Sequence, residues 1–366
     1  MSSVVSLRKP SLATAGQIAL MILILVFLFL SHSAAEQDYG PCGDNKWKYE
    51  DGVLTIYGSS GIPDLSGYDA VPEYGRHRFD TTKVVIEEGV TSIGSFAFSK
   101  FSVLSEVMLP DSLTSIHKCA FVDCTNLKTL TIPSGVNEIR APLYYPTNVF
   151  SAGSSQFSSV QVASSNPVFS SQDGVLYSNS QTTLVYFPLA KNISSFSCPS
   201  TVTVIEDYAF YRHQTLQSIT LPSVQSIGSC AFQWTKLSSV SLPSSMTAIK
   251  SWAFADTLIE SVSIAGGVGS WSDGNYAFAG CEKLTTVEIK EGVTEIPAHA
   301  FLNDYLLETV YLPKSVQSIK DGAFGGDLVK ELYFTGSEYD FWNIIFGMNN
   351  TPLYSDATIH WNSNRE

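Results

Sequence analysis

Positive charge is scarce in this chain of 366 residues: Lys and Arg number 21 against 34 Asp and Glu, for a net charge of −13. A surface so short of cations offers nothing on which a phosphate backbone could release its counterions, so nucleic acid is not an expected partner. Cysteine is sparse as well. Six thiols scattered over the chain cannot build the dense disulfide framework of a small secreted scaffold. Motifs that carry chemistry are missing: GxSxG, HExxH, a Walker loop, GxGxxG and an EF-hand loop are all absent. His117, Cys119 and Cys124 have no second Cys or His pair at zinc spacing, so neither a metal nor a cofactor is expected. Glu106, Glu260, Glu288, Glu308 and Glu331 fall on exposed strand positions, where a solvated face explains them better than a glycosidase pair. The chain reads as a protein that is not an enzyme.

Long apolar runs are limited to one. Arg8 and Lys9 precede an unbroken stretch from Ile18 to Leu30, followed by Ser33 and Ala35. At 13 residues it falls short of the ~20 that span a bilayer, and small residues at −3 and −1 suit cleavage before Glu36. Residues 1–35 therefore read as a signal peptide, with an uncleaved anchor as the competing reading. Cleavage removes two cations and no acid, leaving a more acidic, self-repelling chain. The tail ending HWNSNRE lacks the apolar segment of a GPI signal, so membrane attachment is expected only through the N-terminal segment. Sequons at Asn192 and Asn349 are candidate glycosylation sites.

What the chain has in quantity is apolar material, 44% of residues, and it is periodic. Ala-Phe pairs end at Phe98, Phe121, Phe210, Phe232, Phe254, Phe278, Phe301 and Phe324, with gaps of 23, 89, 22, 22, 24, 23 and 23. Ile stands five residues before each of these phenylalanines except Phe278, where the slot holds Asp273. After them comes L-x-x-[VIL]-x-[LI]-P, as in LSEVMLP, LKTLTIP and LETVYLP. Alternating apolar positions closed by a proline that cannot donate to a ladder describe a short strand. A unit of this length cannot enclose a core alone, whereas stacked units share one, their strands ~4.8 Å apart. Eight clear copies and about three degenerate ones make ~11 coils, a stack of roughly 50 Å.

The pattern assigns residues 36–80 to an N-terminal β cap, 81–334 to the solenoid and 335–366 to a C-terminal cap, because exposed apolar ends need covering. Within the solenoid, 136–197 is irregular, with a hairpin turn at Asp173-Gly174; Asp51-Gly52 marks another in the first cap. Phe341, Trp342, Ile345 and Phe346 are the expected covering groups of the last cap. Cys119 and Cys230 fill equivalent slots about five coils apart, too distant for a disulfide, and buried thiols are expected.

These residues resemble the BspA-type leucine-rich repeat proteins, also called the Treponema pallidum leucine-rich repeat class. The resemblance covers about residues 42–361 and is carried by the repeated IxxxAF and LxxVxLP, by NPVFSSQDGVLY with LVYFP, and by the flanks CGDNKWKYEDGVLTIYG and YFTGSEYDFW with ATIHW. It implies a leucine-rich-repeat solenoid, mostly β, its short strands stacked in a parallel sheet as an arc or horseshoe between caps. It further implies a secreted or cell-surface protein-binding module acting in adhesion or host and cell contact. Its partners would be proteins of the extracellular matrix, the host or a neighbouring cell. A structural, self-associating envelope component is the alternative.

Side chains between the apolar letters of each strand point outward and form columns. Met108, Thr131, Thr220, Ser241, Ser263, Glu288, Tyr311 and Tyr333 make one such column and are the candidate ligand-binding residues. Tyr311 and Tyr333, of a residue type enriched at interface hot spots, place the best patch near the C-terminal end.

Overall fold

The computed structural model describes residues 38–140, 156–268, 270–271, 275–326 and 328–363. The leader and the Asp273 slot lie outside them. The chain winds into a β-solenoid of about 11 turns with almost no helix. Each coil has three sides, set by the three parts of the repeat.

The first side is the L-x-x-V-x-L strand. Its middle apolar residues stack in register, Val262 on Val287, Val310, Leu332 and Ile359, and all but partly buried Ile359 are sealed from solvent. The second side is a two-residue parallel strand built on the repeat isoleucine: Ile93 pairs Ile116, which pairs Ile139, and Leu184 leads to Ile205, Ile227 and Ile249. The next rung is made by Ser270–Trp271, whose backbone pairs with Ala248–Ile249. The copy that lacks isoleucine thus completes its ladder two residues before the expected slot.

The third side is the Ala-Phe turn. Every phenylalanine of the eight pairs is fully buried. Rings of adjacent coils stack nearly parallel, 5.0 Å apart for Phe210–Phe232 and 5.1 Å for Phe232–Phe254 and Phe254–Phe278. The backbone stacks with them, since Phe232 N–H donates to Ala253 C=O at 2.8 Å and Phe254 N–H to Ala277 C=O at 2.7 Å. Two residues before each phenylalanine φ lies between +47° and +61°, and two residues after it between +56° and +86°. This left-handed geometry costs an L-residue roughly 1–2 kcal/mol, and the last coil meets it with Gly322 and Gly326.

From residue 156 on, the irregular stretch leads back into the same spine. Phe169–Gln172 and Val175–Ser178 form an antiparallel hairpin across Asp173 (φ +51°) and Gly174 (φ +76°), the double positive φ of a type I′ turn. Thr183–Tyr186 follows and joins the second ladder in parallel to Val204–Ile205. Phe187 then takes the spine position, 4.8 Å from Phe210, and its N–H donates to Ala209 C=O. The hairpin also divides the core, with Val175 and Tyr177 in the C-terminal cluster and Leu176 and Tyr186 in the N-terminal one.

Side chains close both ends of the spine. Tyr74, buried, donates its hydroxyl to Ala97 C=O at 3.0 Å, in place of the backbone N–H of a preceding coil. At the other end the Asn350 side-chain carbonyl accepts from Phe324 N–H at 3.1 Å, and its amide donates to Lys320 C=O at 2.8 Å. Of the expected covering groups, Phe341 is fully buried and Phe346 partly so, whereas Trp342 and Ile345 are exposed at 56% and 73%. Ile345 alternates with inward Phe346 on a short strand, and Trp342 turns out on the one-turn helix Glu338–Trp342.

Candidate functional site

The predicted column exists in segments. Met108 sits beside Val85 in a five-stranded sheet, Thr131 beside Gln161 in a two-stranded one, and Thr220 beside Ser241 in a three-stranded one. Ser263, Glu288, Tyr311 and Tyr333 follow in a second five-stranded sheet. Met108, Thr131, Thr220 and Ser241 are exposed, and Ser263, Tyr311 and Tyr333 half-buried.

Glu288 departs from the exposed face expected of it. It is 8% exposed, and its carboxylate accepts from Lys290 Nζ at 2.6 Å. The long neighbour Tyr311 on the next strand covers what shorter Ser and Thr neighbours leave open elsewhere. The other four carboxylates of the set are at least partly exposed, Glu106 and Glu331 on strands and Glu260 and Glu308 one residue before theirs rather than on the strands expected of them.

The structure brings the two tyrosines together and adds a third ring. Tyr311 and Tyr333 stack at 4.8 Å and 14°, and Tyr333 and His360 at 4.4 Å and 9°. His360 Nε2 lies 2.6 Å from Glu331 Oε2. Sequence reasoning assigned His360 to the cap; the signal was Thr358-Ile359-His360, which repeats strand alternation and pairs Glu331–Phe334 in parallel. Because the rings cover one another's faces, they offer edges and hydroxyl groups outward rather than a flat platform. Beside them opens a groove of about 570 Å³ lined by Glu288, Lys290, Glu291, Tyr311, Lys314 and Tyr333, among others. It combines aromatic edges with charges of both signs, the composition that suits a mixed polar and aromatic protein surface.

One constellation elsewhere has the outline of a nucleophilic triad. Asp64 Oδ1 lies 2.8 Å from His117 Nδ1, and His117 Nε2 3.3 Å from Ser115 Oγ. Burial pulls the Asp64 carboxyl upward, but the Ser95 N–H and the His117 ring outweigh it and hold it down at about 2. Ser115, however, is 8% exposed, and the amides of Thr114 and His117 are spent on Thr91 and Ile93 carbonyls. Committed to the ladders, those two amides are not free to donate to an oxyanion beside the hydroxyl.

All six cysteines are buried thiols. Burial pushes Cys42 and Cys198 up to about 12 and Cys230 to about 11, suppressing the reactive thiolate. Among the described residues no group of three or more His, Cys, Asp or Glu is placed to hold a metal, and no helix is long and apolar enough to cross a membrane. Asn192 and Asn349 are both exposed.

Comparison with known proteins accords with this geometry. The family model for the BspA type leucine rich repeat region matches in six copies, over residues 74–172, 185–274 and 269–350. Among solved structures, the pneumococcal vaccine antigen PcpA superposes with a TM-score of 0.62 at 19% identity, covering 88% of this chain and 99% of that one. A leucine-rich cell surface protein from Faecalibacterium prausnitzii gives 0.53 at 22% identity, covering 85% and 99%. A leucine-rich repeat protein from Eubacterium ventriosum gives 0.54 at 17% identity, covering 91% and 97%. At these identities the likeness speaks for the fold alone. No curated protein matches. With the family model covering well over half its residues, the chain belongs to the BspA-type leucine-rich repeat family.

Proposed function

We propose that this protein is a secreted or cell-surface binding module that engages another protein, in adhesion or in contact with a host or neighbouring cell, through its C-terminal groove. The observation that carries the reading is the stack Tyr311–Tyr333–His360 beside a groove edged by Lys290, Glu291 and Lys314. Leucine-rich repeats generally serve as protein-binding scaffolds, and one structural neighbour is named a cell surface protein. The acidic balance and signal-peptide layout fit an extracellular setting. The partner class is a protein of the extracellular matrix or of a cell surface. Affinity capture from extracellular-matrix and cell-surface extracts, run in parallel with the intact chain and with Tyr311→Ala/Tyr333→Ala, tests it. A protein retained by the first and released by the second is the expected result; identical sets on both would refute the assignment of the groove.

A self-associating surface component is the second reading. Tyr339, Trp342, Ile345 and Met348 are 78%, 56%, 73% and 71% exposed within one short segment at the end of the stack, an apolar concentration that suits contact between copies. Light scattering across a concentration series distinguishes the two, since only this reading requires the mass to grow.

A further inference from the structure

The turn edge of the solenoid, opposite in character to the Ser- and Thr-rich sheet face, carries a second concentration of rings. Tyr208, Tyr211 and Cys230 form a small apolar cluster with Trp234 and Trp252 packed on it. Arg212 is exposed, its guanidinium 4.3 Å from the Trp234 ring centre and 5.4 Å from that of Tyr211. Among the described residues no carboxylate lies within ion-pair distance of Arg212, although the chain has 34 acids for 21 cations. A cation stacked on two rings and left without a counter-charge is poised for an anion brought by something else.

The molecule contains its own example of what sits on this edge. Arg212 is two residues after spine residue Phe210, the position that Lys100 and Asp123 hold after Phe98 and Phe121, and all three have φ near +60°. Over Lys100 and Asp123 the N-terminal segment lays the turn Gly67-Tyr68-Asp69. Lys100 Nζ stands 3.9 Å above the Tyr68 ring and 2.5 Å from Asp69 Oδ1. The Tyr68 hydroxyl donates to Asp123, and the ring packs on Phe96, Cys119 and Val122. One cation thus holds an aromatic ring and the adjacent carboxylate together.

We propose that the edge formed by Tyr211, Arg212 and Trp234 is a second binding site, separate from the sheet-face groove, for an aromatic–acidic turn of a partner protein. The partner's ring packs against the half-buried Trp234 ring, with Tyr211 buried behind it, and its carboxylate pairs with Arg212 as Asp69 pairs with Lys100. Trp, Tyr and Arg are the residue types that dominate interface hot spots. The site needs no rearrangement, because Arg212 is already held by the rings and by the turn.

A peptide of residues 62–72, IPDLSGYDAVP, is the probe. Biotinylated and loaded on streptavidin so that several copies act together, it is presented to the immobilised full chain. Capture is expected, and should fall at least about tenfold for the peptide carrying Tyr68→Ala or Asp69→Asn, and for the chain carrying Arg212→Asn. Asparagine tolerates the left-handed backbone at that exposed position, so the variant should melt like the parent; Trp234→Asn is the second variant. Failure of the parent peptide to bind would overturn the site, as would binding that survives Arg212→Asn or that ignores the loss of the Tyr68 ring.

Discussion

His213 shows what a single residue contributes to this repeat. It occupies the slot three residues after the spine phenylalanine, filled two coils running by Thr235 and Thr257, whose hydroxyls donate to Phe232 and Phe254 carbonyls at 2.8 and 2.9 Å. Burial lowers the His213 ring to about 4 from an ordinary 6.5, so the folded chain carries it neutral. The unfolded chain therefore binds a proton the folded one refuses. Stability is complete above pH ~6.5 and is lost as pH falls toward ~4, by up to roughly 3 kcal/mol. Urea midpoints measured across this window should slope for the parent and flatten for His213→Thr. The left-handed slots give a second test. Asn303 is exposed with φ +65°, so Asn303→Val should destabilise by about 1–2 kcal/mol while Asn303→Gly costs nothing or stabilises slightly, as read by thermal melts. In the sequence these slots look merely permissive, holding Phe, Cys, Tyr, Trp, His or Gly before the phenylalanine and Lys, Asp, Arg, Trp, Asn or Gly after it; side-chain identity conceals a backbone requirement shared by all of them.

At the scale of elements, the ends of the spine are the sensitive points. Asn350 replaces a whole absent coil, taking Phe324 N–H on its carbonyl and donating to Lys320 and Gly347. Asn350→Ala leaves the Phe324 N–H buried and unsatisfied, a cost of about 2 kcal/mol. Because neighbouring coils support only each other, the loss should appear first in faster amide exchange of Phe324 and Ala323, leaving Phe210 unchanged. Elements with a strong period were legible: the Ala-Phe turn, the isoleucine ladder, and the hairpins at Asp51-Gly52 and Asp173-Gly174 follow from spacing and turn chemistry. Phe187 was not, although it lies 23 residues before Phe210, because Tyr rather than Ala precedes it. Trp271 was missed because its rung falls two residues early, and His360 because a degenerate last strand reads as cap. In each case the backbone position is kept while the residue that signals it is replaced.

At the scale of the whole molecule, the repeat produces a scaffold with two dissimilar outward surfaces. The sheet face is small and hydroxylic until Tyr311, Tyr333 and His360; the turn edge is aromatic from Tyr208 onward. The candidate column was legible because alternation alone decides which strand residues face out. That Tyr311, Tyr333 and Glu288 border one groove depends on strand register, which spacing does not encode. Both surfaces rely on one claim, that each coil passes its backbone and its ring to the next along the phenylalanine spine that runs from Phe187 to Phe324. Residue-resolved amide hydrogen exchange tests it most directly. Phe98, Phe210, Phe232, Phe254, Phe278 and Phe301 each donate to the alanine of the following coil. Their amides should exchange among the slowest in the chain, in spite of lying in turns. Exchange at the rate of exposed loops in any of the central coils would contradict the account.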